Sequence, residues 1–141
     1  MSEPATQTEN SKKVYAAAKA ALGQYLATNA QLGCAETVNV IFTRALGLPI
    51  GGGASTQGMY PFLLNTTRFA RVFGNPQPGD VIISPTGSGT LPHGHVGIVG
   101  IYGILSNDSN NGSLRQNFTH DAWWKYFYGR GRFKVEYYRV L

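Results

Sequence analysis

Leu32-Gly33-Cys34-Ala35-Glu36-Thr37 places the only cysteine of the chain where apolar residues begin to recur at helical spacing. Val38, Ile41, Phe42 and Ala45 follow three or four residues apart, and Gly47 with Pro49 just beyond supplies a stop. A helix is therefore predicted over 34–46, with Cys34 in its first turn. A helix start gathers unpaired backbone N–H groups and the positive end of the dipole, both of which favour a thiolate. Downstream, Gly94-His95-Val96-Gly97-Ile98-Val99 reads as a strand that opens on an imidazole. A thiol and an imidazole carried on two rigid elements are what nucleophilic sulfur chemistry requires.

Working outward, residues 1–10 are small and polar and read as a flexible tail, leaving 11–141 as a single domain. With Ser11 as cap, Val14, Ala17, Ala18, Ala21, Leu22 and Tyr25 predict an amphipathic helix over 12–27. The glycine-rich 51–58 has no periodicity and reads as a loop, and 60–73 as a short helix running into an extended segment. Asn75-Pro76-Gln77-Pro78-Gly79-Asp80 is a turn before the apolar Val81-Ile82-Ile83, which starts a core strand. The strand from His95, an extended Ile101–Leu105 and a polar, turn-rich Ser106–Gly112 come next. An aromatic helix over 121–128 and an alternating strand over 133–140 close the chain. Helices first and strands later give an α+β fold built on an antiparallel sheet.

A length of 141 residues with 43% hydrophobic and 13% charged suits one globular domain with a sizeable core. A single cysteine rules out an internal disulfide and a cysteine-based zinc cluster, so the thiol is either reactive or a small buried hydrophobe. His93 and His95 share a face on a strand, but no carboxylate or cysteine cluster completes a metal site with them, and none is expected. His120 falls in the loop or first turn before the aromatic helix. The rings Trp123, Trp124, Tyr126, Phe127 and Tyr128 cannot all be buried by so short a helix, which leaves some to stack on sugar. The net charge of +5 suits an anionic partner. No basic run with interleaved aromatics marks a nucleic-acid module, and none is expected as partner. The polar start lacks an export signal and no stretch is apolar enough to span a bilayer, so synthesis in the cytoplasm without membrane insertion is the expectation.

The order Gly33-Cys34 opening a helix, then Pro78-Gly79-Asp80-Val81-Ile82-Ile83, then His95-Val96-Gly97-Ile98-Val99 resembles the NlpC and CHAP groups of papain-like cysteine peptidases. Gly33 and Ala35 depart from the Asp and Ser that usually flank the NlpC cysteine. The resemblance implies N-terminal helices packed on a small antiparallel sheet, and a cysteine peptidase or amidase that cuts an amide bond of bacterial peptidoglycan as a monomer without a cofactor. It assigns Cys34 as nucleophile and His95 as base. Its third residue, about a dozen positions after the histidine, falls on Asn107, with Asp108 as runner-up, and Gln31 is the side-chain candidate for the oxyanion hole. A wall enzyme without an export signal reaches its substrate after release or delivery, by phage lysis in the first instance and by injection as an antibacterial amidase effector in the second. A non-catalytic domain binding wall peptide or a protein partner, and a transferase or deamidase using the same dyad, are the other classes this pattern admits.

Overall fold

A computed structural model describes residues 6–141. Its elements run α1 (Glu9–Ala20), α2 (Cys34–Leu46), α3 (Thr56–Leu63), β1 (Phe69–Val72), β2 (Val81–Ser84), β3 (His95–Val99), β4 (Ile104–Asn107), β5 (Leu114–Phe118), α4 (His120–Trp123) and β6 (Glu136–Val140). A π-helical segment, Trp124–Arg130, continues directly from α4. The strands form one antiparallel sheet in the order β1-β6-β2-β3-β4-β5, so the last strand inserts between the first two. The fold is α+β.

Both faces of the sheet are covered. Val81, Ile83, Val96, Ile98 and Leu105 face α1–α3 and pack with Val14, Ala18, Val38, Ile41 and Phe42. Ile82, Val99 and Ile104 face the other way, onto Trp123, Phe127 and Phe133. Each large apolar side chain buried this way contributes about 1.5–3 kcal/mol relative to exposure. The two clusters therefore fix the strand phase that aims the site residues.

The helix of Cys34 runs over Cys34–Leu46 as expected and ends where Gly47 turns left-handed at φ 79. Other expectations shift. The first helix begins at Glu9, capped by Thr8 and not Ser11, because the Thr8 side chain accepts the Ser11 amide. It stops at Ala20 instead of continuing to 27, since Gly23 turns at φ 85 and residues 23–25 bond along β5. Part of the expected tail is structured: Gln7 reaches the Pro78 carbonyl at 2.7 Å and Thr8 the Val140 carbonyl at 2.6 Å. Residues 1–5 lie outside the described set. Within the stretch read as a loop, Ser55 caps α3 from Thr56 onward. Strand β4 extends through Ser106 and Asn107, which the sequence reading gave to a turn, and β5 forms where no strand was expected. His120 is the first residue of α4, with Nδ1 3.0 Å from the Tyr137 hydroxyl. Among the described residues no helix is long and apolar enough to cross a membrane.

Candidate active site

The start of α2 is packed tightly enough to demand glycine at position 33. A Cβ there would run into the Ala27 side chain and the Asn29 carbonyl. The loop that crosses this point is held by Glu36, which accepts from Thr28, and by Asn107, whose Nδ2 donates to the Ala30 carbonyl at 2.6 Å. Cys34 follows with 9% of its surface exposed. Backbone N–H groups of Cys34, Ala35 and Val96 point at its sulfur and pull the thiol pKa down, yet burial outweighs them and the thiol sits above its ordinary value. At neutral pH the sulfur is protonated. Iodoacetamide is therefore expected to modify native Cys34 more slowly than the same thiol in denaturant at pH 8, with a rate that climbs only above the range of a free cysteine. Mass spectrometry of timed samples reads this directly, and a flat, fast rate from pH 5 to 8 would contradict it.

His95 opens β3 on the aromatic side of the sheet, within 6 Å of three rings: Trp123 at 5.2 Å, Phe118 at 5.7 Å and Phe127 stacked at 5.9 Å between centroids. Burial among them lowers the imidazole pKa to about 4. Its Nε2 lies 3.0 Å from Ser106 Oγ, and Ser106 donates its own hydroxyl proton to Asn117 Oδ1 at 2.5 Å. Asn117 is oriented in turn by its Nδ2, which donates to the Asn107 carbonyl at 3.5 Å. Because the serine proton is committed to Asn117, Ser106 Oγ accepts from His95, which puts the ring proton on Nε2. Nδ1 then carries the bare lone pair, and among the described residues the ring's one hydrogen bond is the one at Nε2. The resting pair is a neutral thiol and a neutral imidazole, so sulfur chemistry here requires proton transfer to a base.

The two groups occupy adjoining hollows. Cys34 lines one of about 160 Å³ with Leu32, Thr56 and Thr86, while His95 lines one of about 380 Å³ with Asn107, Asp108 and Tyr126. Gln31, His93 and Gly94 border both and form the shared rim. The sulfur rests against the Val96 amide, the residue that follows His95. Among the described residues no hydrogen bond joins it to the imidazole.

Asn107 does not hold the ring. Alternation along β4 turns Ser106 toward the face of His95 and Asn107 toward the helices, where it ties down the loop before Cys34. The position expected for the orienting residue is thus one too far along, and Ser106 with Asn117 takes that place. The runner-up Asp108 is past the strand end, accepting from the Asn110 amide at 2.8 Å, with Arg115 Nε 3.7 Å away. Gln31 stands on the shared rim, three residues before the sulfur. Thr86, missed in the sequence, bonds Thr56 at 2.8 Å and receives the Gly94 amide at 3.0 Å, so it fixes the approach to His95.

No protein family and no curated protein matches this chain. Among solved structures, a chain from the type VI native effector-immunity complex Tae3-Tai3 of Ralstonia pickettii is similar, with a TM-score of 0.58 and 22% identity over 95% of this chain and 100% of that one. At this identity the likeness establishes the fold.

Proposed function

We propose that this protein is a cysteine hydrolase of the NlpC/CHAP kind that cleaves an amide bond of bacterial peptidoglycan, with Cys34 as nucleophile and His95 as base. The observation that carries the reading is the chain Asn117–Ser106–His95, which leaves Nδ1 without a hydrogen-bond partner, in a hollow that shares the rim Gln31, His93 and Gly94 with the hollow of Cys34. Nδ1 takes the thiol proton directly or through one water at the shared rim, and sulfur attacks the amide carbonyl. The Cys34 amide and Gln31 supply N–H donors to the oxyanion. The imidazolium then protonates the leaving amine, and water activated by the same ring releases the acyl group. Ser106 and Asn117 hold the working tautomer throughout.

Delivery as an injected antibacterial effector stands ahead of phage lysis in this proposal, because the similar solved chain comes from an effector–immunity complex. Action is on the cell wall after synthesis in the cytoplasm. The burial of Cys34 favours a second reading, a domain of the same fold that binds wall peptide without cutting it. Incubating sacculi and purified muropeptides with the parent protein and with Cys34→Ser separates the two. New amine ends that appear only with the thiol, and fragments that identify the bond by mass spectrometry, are the expected result. Equal fragment patterns from both proteins, or none from either, would sink the hydrolase reading.

A further inference from the structure

The segment that walls the His95 cavity also presents a second, outward surface that the chemistry above does not use. Between Asp121 and Glu136 the chain carries four basic residues and no acid. Lys125, Arg130 and Arg132 are exposed, and so are the rings Trp124, Tyr126 and Tyr128, at 39%, 42% and 60%. These rings are fixed in place: Trp124 Nε1 donates to the Tyr137 hydroxyl at 2.9 Å, Trp124 and Tyr128 pair at 5.5 Å, and the Arg130 guanidinium lies 5.9 Å from the Tyr126 ring centre. The seven-residue π-helical turn sets this spacing while sending Phe127 inward onto His95. Tyr126 belongs to both surfaces, since it lines the cavity as well.

We propose that this strip is the docking surface for an anionic glycan, the carboxylate-bearing wall polymer whose peptide arm enters the adjoining cavity. The inference rests on the hydrolase reading for the identity of the polymer. Pre-ordered aromatic planes match the flat apolar faces of sugar rings, and the surrounding cations match carboxylates at little ordering cost. Continuity with the cavity through Tyr126 places a polymer on the strip within reach of His95. A flat membrane is the poorer match, because the exposed rings are few, fixed by polar partners and not backed by an amphipathic helix.

The test uses Cys34→Ser protein, so that binding is read without cleavage. Its co-sedimentation with purified sacculi is expected to weaken with salt. In that background, Trp124→Ala with Tyr128→Ala, and separately Lys125→Gln with Arg130→Gln and Arg132→Gln, should each reduce sacculus binding by roughly tenfold or more. Soluble hyaluronate should compete and uncharged dextran should not. With Cys34 restored, the same variants should raise KM on sacculi and leave cleavage of a small soluble muropeptide, which has no extended glycan strand, unchanged, which distinguishes loss of the strip from failure of the hydrolase reading. Parental thermal unfolding confirms that each variant is folded. Parental sacculus binding by both variants, or tighter binding to phosphatidylglycerol vesicles than to sacculi, would overturn the proposal.

Discussion

Lowering the pH from 6.5 toward 4 is expected to strip about 3 kcal/mol of stability from the native protein through His95 alone. The sign follows from which state holds the proton. In the unfolded chain the imidazole takes one up near 6.5, whereas in the folded protein the surrounding rings delay this until about 4. Between those values unfolding binds a proton, so acid drives it, and below about 4 this residue adds no further slope. The rings packed around the imidazole, Phe118, Trp123 and Phe127, do not titrate and offer no compensating charge. His120 is lowered as well, chiefly by burial, and acts in the same sense, so the parent is best compared with His95→Phe. Phenylalanine keeps an aromatic ring in the aromatic pocket while removing the proton site. Urea midpoints followed by tryptophan fluorescence at pH 7 and pH 4.5 should fall steeply for the parent and much less for the variant. Equal falls would show that His95 is not the titrating group, and with it that its imidazole is not kept neutral by its pocket.

How far this site was legible in the sequence follows from the same two-sided burial. The helix of Cys34 has one wet face, so its apolar spacing shows both its extent and its orientation. Strands β2, β3 and β4 are covered on both faces, and a strand of that kind loses the alternation that reveals its phase. Ile104 and Leu105 are equally apolar and equally buried, yet one meets Ile82 and Trp123 while the other meets the helices. Nothing in Ile104-Leu105-Ser106-Asn107 says which polar residue shares a face with His95, and the expectation settled on Asn107 when Ser106 is the one that does. Strand β5, Leu114–Phe118, escaped for the opposite reason: it is an edge strand whose Arg115, Gln116 and Asn117 are exposed, so it carries no apolar pattern. Asn117 was lost with it. The interposition of β6 between β1 and β2 is a long-range pairing that no local signal encodes.

Asp80→Ala is expected to cost about 3–5 kcal/mol, a large share of the stability of a domain this size. Asp80 stands in the Pro78-Gly79-Asp80 motif that contributed to the family resemblance, and its role here is structural. It is fully buried, as is Arg139 on β6, and the two form a two-pronged pair, Nε to Oδ1 and Nη2 to Oδ2, both at 2.8 Å. Oδ2 also accepts the Gln77 amide at 2.8 Å, so one carboxylate closes the turn before β2 and fastens it to the C-terminal strand. Gly79 makes the turn at φ 95, where a Cβ would strike the Ser11 carbonyl, and so brings α1 against the same point. Removing the carboxylate leaves a guanidinium in a dry interior, and that uncompensated charge, more than the lost attraction, sets the size of the effect. The melting temperature should drop by roughly 10–15 °C. The double variant Asp80→Leu with Arg139→Met, which removes both charges and keeps apolar volume, should recover much of that loss. A single variant that melts like the parent, or a double no better than the single, would mean that solvent reaches the pair and that the motif holds β2, and through Ser84 its neighbour His95, by backbone hydrogen bonds alone.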